Sequence, residues 1–153
     1  DFIYTDQALN AILKADIPLC FSVDNLQISD TLDIALEETL DAHGQVLIYL
    51  TNNLPIGATM SLSIIDHGGA ELAQIISDGM VSSGIIDGED TIAQESLITV
   101  QLGRDQMRLL SPENRLFVAL EFNSYGSDQV KFSADDLIEV KIVADVEGVI
   151  GYN

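Results

Sequence analysis

Side chains along most of this sequence alternate between apolar and polar at every step, in runs bounded by Gly, Asn, Asp and Pro. That period of two belongs to β-strands with one face buried. Val46, Ile48 and Leu50 share one face of Gln45–Thr51, with Leu47 and Tyr49 on the other. A strand apolar on both sides is expected at the centre of its sheet. Thr59–Asp66 directs Met60, Leu62 and Ile64 inward, and Arg115–Ser124 does the same with Leu116, Val118, Leu120 and Phe122.

Other strands are expected at Ile17–Ile28, Thr31–Leu36, Ala70–Ile76, Thr91–Leu102 and Leu137–Val146. His43-Gly44 and His67-Gly68-Gly69 read as turns, and Glu37–Ala42 as one helical turn after its strand. Residues 77–90 hold Gly79, Gly84 and Gly88, too closely spaced for a long regular element, and read as loop with short strand pieces. Asp105–Leu110 reads as a short helix stopped by Ser111-Pro112, since proline disfavours helix in the residue before it.

Eight or so strands, one short helix near 104–110 and frequent turns describe a single antiparallel β-sandwich over residues 1–153, immunoglobulin-like in type, with a barrel as the nearest competitor. A parallel α/β sheet lacks its crossover helices. The length suits one domain of about 100–200 residues. A chain of this size buries roughly 68–70% of its unfolded surface without a disulfide or metal staple.

Charge narrows function. Twenty-five acidic residues against six basic ones leave a net charge of −19. Nucleic-acid binding needs Lys and Arg to displace counterions, so it is excluded, and docking on anionic lipid is disfavoured in the same way. No apolar run approaches the ~18 residues of a membrane span. The chain opens on Asp1-Phe2-Ile3-Tyr4 without an initiator Met or signal peptide, the pattern expected of a mature or trimmed product or of a domain from a longer chain. Cys20 is alone, in an apolar strand-like run, and reads as a buried inert thiol.

Catalytic signatures are missing: there is no G-x-S-x-G elbow, phosphate-cradling P-loop or G-x-G-x-x-G. Carboxylate pairs such as Glu37-Glu38 and Asp135-Asp136 are too common here to single out an acid–base pair, and no Trp offers a sugar platform. The expectation is a protein that is not an enzyme and carries no cofactor. Calcium is the one candidate ion, because Asp87, Glu89 and Asp90 flank the flexible Gly88 and hard cations take oxygen ligands. The plainer alternative is a set of solvated turn residues. His43, His67 and Cys20 offer no zinc spacing.

Arg104, Arg108 and Arg115 make up half of the basic residues and offer a docking patch for an acidic partner, such as a second copy of this chain. The alternative is local neutralisation of Asp105, Glu113 and the helix end. Phe2-Ile3-Tyr4 and Val149-Ile150-Gly151-Tyr152 are apolar chain ends that could add strands to an open sheet edge, giving a homo-oligomer or filament with Phe2, Tyr4 and Tyr152 in the contact.

The stretch Leu50-Thr51-Asn52-Asn53-Leu54-Pro55-Ile56-Gly57, followed by Met60–Asp66, resembles a pattern in secreted bacterial sandwich domains and the strand–Asn–Pro–strand segment of the late-embryogenesis-abundant type 2 family. The resemblance implies a sandwich in an extracellular or envelope-associated protein, secreted or on the cell surface, and brings no catalytic residues. The reading is thus a structural or self-assembling surface module. A calcium- or glycan-binding module is the alternative, and an acidic hydrolase the third.

Overall fold

The computed structural model describes residues 11–16, 26–34, 36, 42–88, 90–123 and 135–148. Its strands are β1 (Ala11–Asp16), β2 (Leu26–Asp33), β3 (Ala42–Asn52), β4 (Ala58–Asp66), β5 (Glu71–Val81), β6 (Ile85–Asp87), β7 (Asp90–Ile92), β8 (Gln94–Leu102), β9 (Asn114–Phe122) and β10 (Leu137–Gly148), with the helix α1 at Arg104–Leu109. One sheet runs β1-β10-β3-β8, the second β2-β9-β4-β5, and β6-β7 form a separate hairpin. All pairings are antiparallel.

Outside that hairpin, first pairs with last and second with next-to-last: β1 with β10, β2 with β9, β3 with β8, β4 with β5. The chain is one long antiparallel ribbon whose successive pairs alternate between the two sheets. Contacts of β10 with β3 and of β9 with β4 then close each sheet. This is the connectivity of a jelly roll. The antiparallel sandwich with its one short helix is therefore present, but the strand order is not immunoglobulin-like, where the first strand neighbours the second. Alternation shows which face a residue takes and is silent about which strand lies beside it.

The core is filled from alternate positions of both sheets. Val46, Ile48 and Leu50 of β3 and Ile138, Val140 and Ile142 of β10 meet Met60, Leu62 and Ile64 of β4 and Leu116, Val118, Leu120 and Phe122 of β9. β3 lies between β10 and β8, as its two-sided apolar pattern requires. Met107 and Leu110 bring the α1 segment onto the same core. The helix starts with Gly103 N–H donating to Gln106 Oε1 and stops where Asn114 Nδ2 donates to the Leu109 carbonyl.

Several boundaries move. His43-Gly44 is inside β3, with Gly44 opposite both Val146 and Leu102. A Cβ at Gly44 would run into the Asp145 carbonyl oxygen, so close strand approach accounts for this glycine. Leu26–Ile28 and Thr31–Asp33 belong to one strand, β2. β5 runs on to Val81 through Gly79, accommodated by register shifts against β4. Thr91–Leu102 breaks at Ala93 into β7 and β8, and β1 has no counterpart among the expected strands. Residues 17–25 and 37–41 lie outside the described residues.

Candidate functional site

The Asn-Pro segment forms a corner of the sandwich. Asn52 is fully buried at the end of β3. Its Nδ2 donates to the carbonyls of Ile56 (2.9 Å) and Ser82 (2.8 Å), and its Oδ1 accepts the Leu54 N–H (2.9 Å). Asn53 Oδ1 accepts the Leu137 N–H, and Gly84 N–H donates to the Leu54 carbonyl. One short loop thus ties together the ends of β3, β5 and β10. A turn reading of Asn-Asn-Leu-Pro marks a loop, but not the distant carbonyls it holds.

Two of the three expected calcium residues come together. Asp87 and Asp90 are paired at the tip of the β6–β7 hairpin, where Gly88 has φ +66°, and both are exposed. Glu89 lies outside the described residues, and among those described no three His, Cys, Asp or Glu side chains gather as a metal set. The sides of the hairpin are apolar, with Ile85, Ile86 and Ile92 all more than half exposed.

The three arginines are divided between α1 and β9. Arg104 and Arg108 are on α1, where Arg108 lies 3.9 Å from the exposed Asp105, a solvated contact of little energetic weight. Arg115 is on β9, opposite Asp33 of β2 and Ile65 of β4. Its Nη2 donates to the His67 carbonyl (3.1 Å), while its Nε is buried without a hydrogen-bond partner. It lines a cleft of about 440 Å³ with Thr31, Ile65, His67, Glu71 and Phe117. Glu71 is held at the cleft by Ser63 Oγ, 2.8 Å from its Oε2. The other histidine, His43, contacts Glu147 at 3.4 Å on exposed strand residues. Phe2, Tyr4, Cys20 and Tyr152 lie outside the described residues.

Sheet edges are the remaining feature, and only the topology exposes it. Among the described residues, β1 and β8 bound one sheet, β2 and β5 the other. On the outer face of the first sheet a polar row links Asp145 to Gln45 and Gln45 to Gln101. Beside it, Tyr49 and Leu97 face each other across β3 and β8 while 44% and 57% exposed.

No family model and no catalogued protein matches the sequence. Similarity appears among solved structures. A protein of Parabacteroides distasonis ATCC 8503 predicted to be secreted matches with a TM-score of 0.55 at 11% identity, covering 83% of this chain and 38% of that one. The structure of infectious bursal disease virus Gx strain matches with a TM-score of 0.40 at 10% identity, over 97% of this chain and 40% of that one. The K3 adhesin domain of Lys-gingipain from Porphyromonas gingivalis W83 gives 0.33 at 10%, over 80% and 63%. The first match shows a shared fold, and this chain spans well under half of that protein's length.

Proposed function

We propose that this chain is a non-catalytic structural module of an extracellular or cell-surface protein, working by association with other chains rather than by turning over a substrate. The observation that carries the reading is where the chemistry sits. The buried polar Asn52 is spent on backbone carbonyls and an N–H, whereas apolar side chains of β3, β8 and the β6–β7 hairpin face outward. Exposed apolar groups on a highly charged molecule are where partners bind. A hydrolase would need two carboxylates converging on one cleft, and among the described residues the Arg115 cleft holds one, Glu71. The fold shared with a protein predicted to be secreted favours the extracellular side.

Protease shaving of intact cells that make the native protein tests the location. An antibody to this module should lose its signal on intact cells. Protection of the module until the cells are lysed would overturn the reading.

A further inference from the structure

Of the four sheet edges among the described residues, three carry devices that discourage strand addition. β2 has the exposed carboxylates Asp30 and Asp33 along its eight residues. β5 has exposed Glu71 and Asp78, and its ladder to β4 slips at three places, which twists the edge away from a flat partner. β1 is six residues long and has Lys14 and Asp16 in its sequence. β8 has the fewest of these. Its nine residues pair with β3 from Gln94 to Leu102 without one register shift. Its only charge is Glu95, and Ser96–Leu102 is a seven-residue run without charge, Pro or Gly. Long, flat, uncharged, β-branched edges are those onto which further strands add.

We propose that β8 pairs antiparallel with β8 of a second copy, joining two four-stranded sheets into one eight-stranded sheet. The inference rests on reading the chain as an association module and names the strand and the partner. Charge confines where two copies can meet. Two molecules of net charge −19 repel wherever carboxylates meet, and β8 offers a neutral strip on which they need not.

A two-fold axis that keeps inward residues inward and passes beside Thr99 sets Thr99 opposite its own copy and Leu97 opposite Gln101. Glu95 then faces Gly103, so the pairing sets no like charges against each other. Leu97, exposed on the outer face, gains a neighbour from the second copy. Ile98 and Val100, only half-buried on the inner face of β8, gain cover.

The test is sedimentation equilibrium of the wild type, Thr99→Lys and Gln27→Lys across concentration and salt, with hydrogen exchange read on β8. Each substitution removes one unit of negative net charge and sits on an exposed edge position, one on β8 and one on β2. General repulsion predicts tighter association for both. Edge pairing predicts opposite signs: Thr99→Lys weakens the dimer roughly five- to tenfold by setting two lysines together, while Gln27→Lys leaves it unchanged or tighter. In the wild type, added salt strengthens the dimer and β8 amides slow as concentration rises.

A dimer indifferent to Thr99→Lys, or weakened instead by Gln27→Lys, overturns the assignment to β8 but leaves an associating module. A wild type that stays monomeric in high salt overturns self-pairing altogether, and the cell-shaving result then stands on its own.

Discussion

Asn52 and the carbonyl of Ser82, thirty residues apart, are joined by a 2.8 Å hydrogen bond inside the sandwich, where Asn52 has no exposed surface. With its bonds to Ile56 and Leu54, one amide serves three backbone groups that have no route to water through this side chain. Asn52→Leu keeps the volume but removes all three partners, and is expected to cost about 2–4 kcal/mol in urea unfolding. Asn52→Asp is expected to be worse at neutral pH, because a carboxylate would face two carbonyl oxygens. Burial there raises the carboxyl's folded pKa, so part of the loss should return as the pH falls and protonation restores a donor. Equal stability of the leucine variant and the wild type would remove the corner's structural role.

Gly44 and Gly69 separate two reasons for using glycine. At Gly44 a Cβ meets the Asp145 carbonyl of the neighbouring strand, so Gly44→Ala must push β3 and β10 apart, at about 1–3 kcal/mol. Gly69 sits at φ +87° with nothing near its missing Cβ, so Gly69→Ala meets only backbone strain, about 1–2 kcal/mol. Thermal melts can rank them, and hydrogen exchange adds the sharper readout. Amides of β3 and β10 near Gly44 should loosen in the first variant, while in the second any change stays in the β4–β5 turn.

How far the sequence announces this molecule depends on the strand. β3, β4, β9 and β10 each pack one face on a shared core, and their inward residues are readable in advance, although Ser63, Ile65 and Ala119 on the opposite faces are buried as well. β5 was legible only to Ile76, because Gly79 reads as a breaker, although a bulged edge strand tolerates it. His43-Gly44 carries turn chemistry yet stands in a ladder, since a glycine required by a neighbour's backbone looks like one required by a turn. The inward faces of the β8 edge were visible, but not that it is an edge: that property belongs to the ribbon's winding, and no local pattern encodes it. Arg115 was legible as a rare cation, while its place on β9 rather than on α1 with Arg104 and Arg108 was not.

The β6–β7 hairpin should open far more readily than the sheets. Its six strand residues pair only with each other, and a two-stranded ribbon with exposed sides is marginal in water. Its base is tethered by Gly84 N–H on the Leu54 carbonyl. Amides of Ile86 and Thr91 are expected to exchange at least roughly 100-fold faster than those of Ile48 and Val140 in native-state hydrogen exchange. Slow exchange at low protein concentration would mean that the three exposed isoleucines are already covered within one chain.

Arg115 makes the opposite prediction to most buried-site substitutions. Its buried Nε carries an unmet donor, a penalty of about 1–3 kcal/mol, against one bond from Nη2 to the exposed His67 turn, worth about 0.5–1.5 kcal/mol. Arg115→Met keeps the aliphatic packing beside Ile65 and Phe117 and removes both terms. It is expected to leave stability within about 1 kcal/mol of the wild type, or to raise it. The lost positive charge deepens the net repulsion of the molecule, so the comparison belongs at about 0.5 M salt, where surface charges are screened within a few Å. Chemical denaturation under that condition decides it: a loss above about 2 kcal/mol would mean that the guanidinium holds more of the β4–β5 turn than its single bond to His67 accounts for.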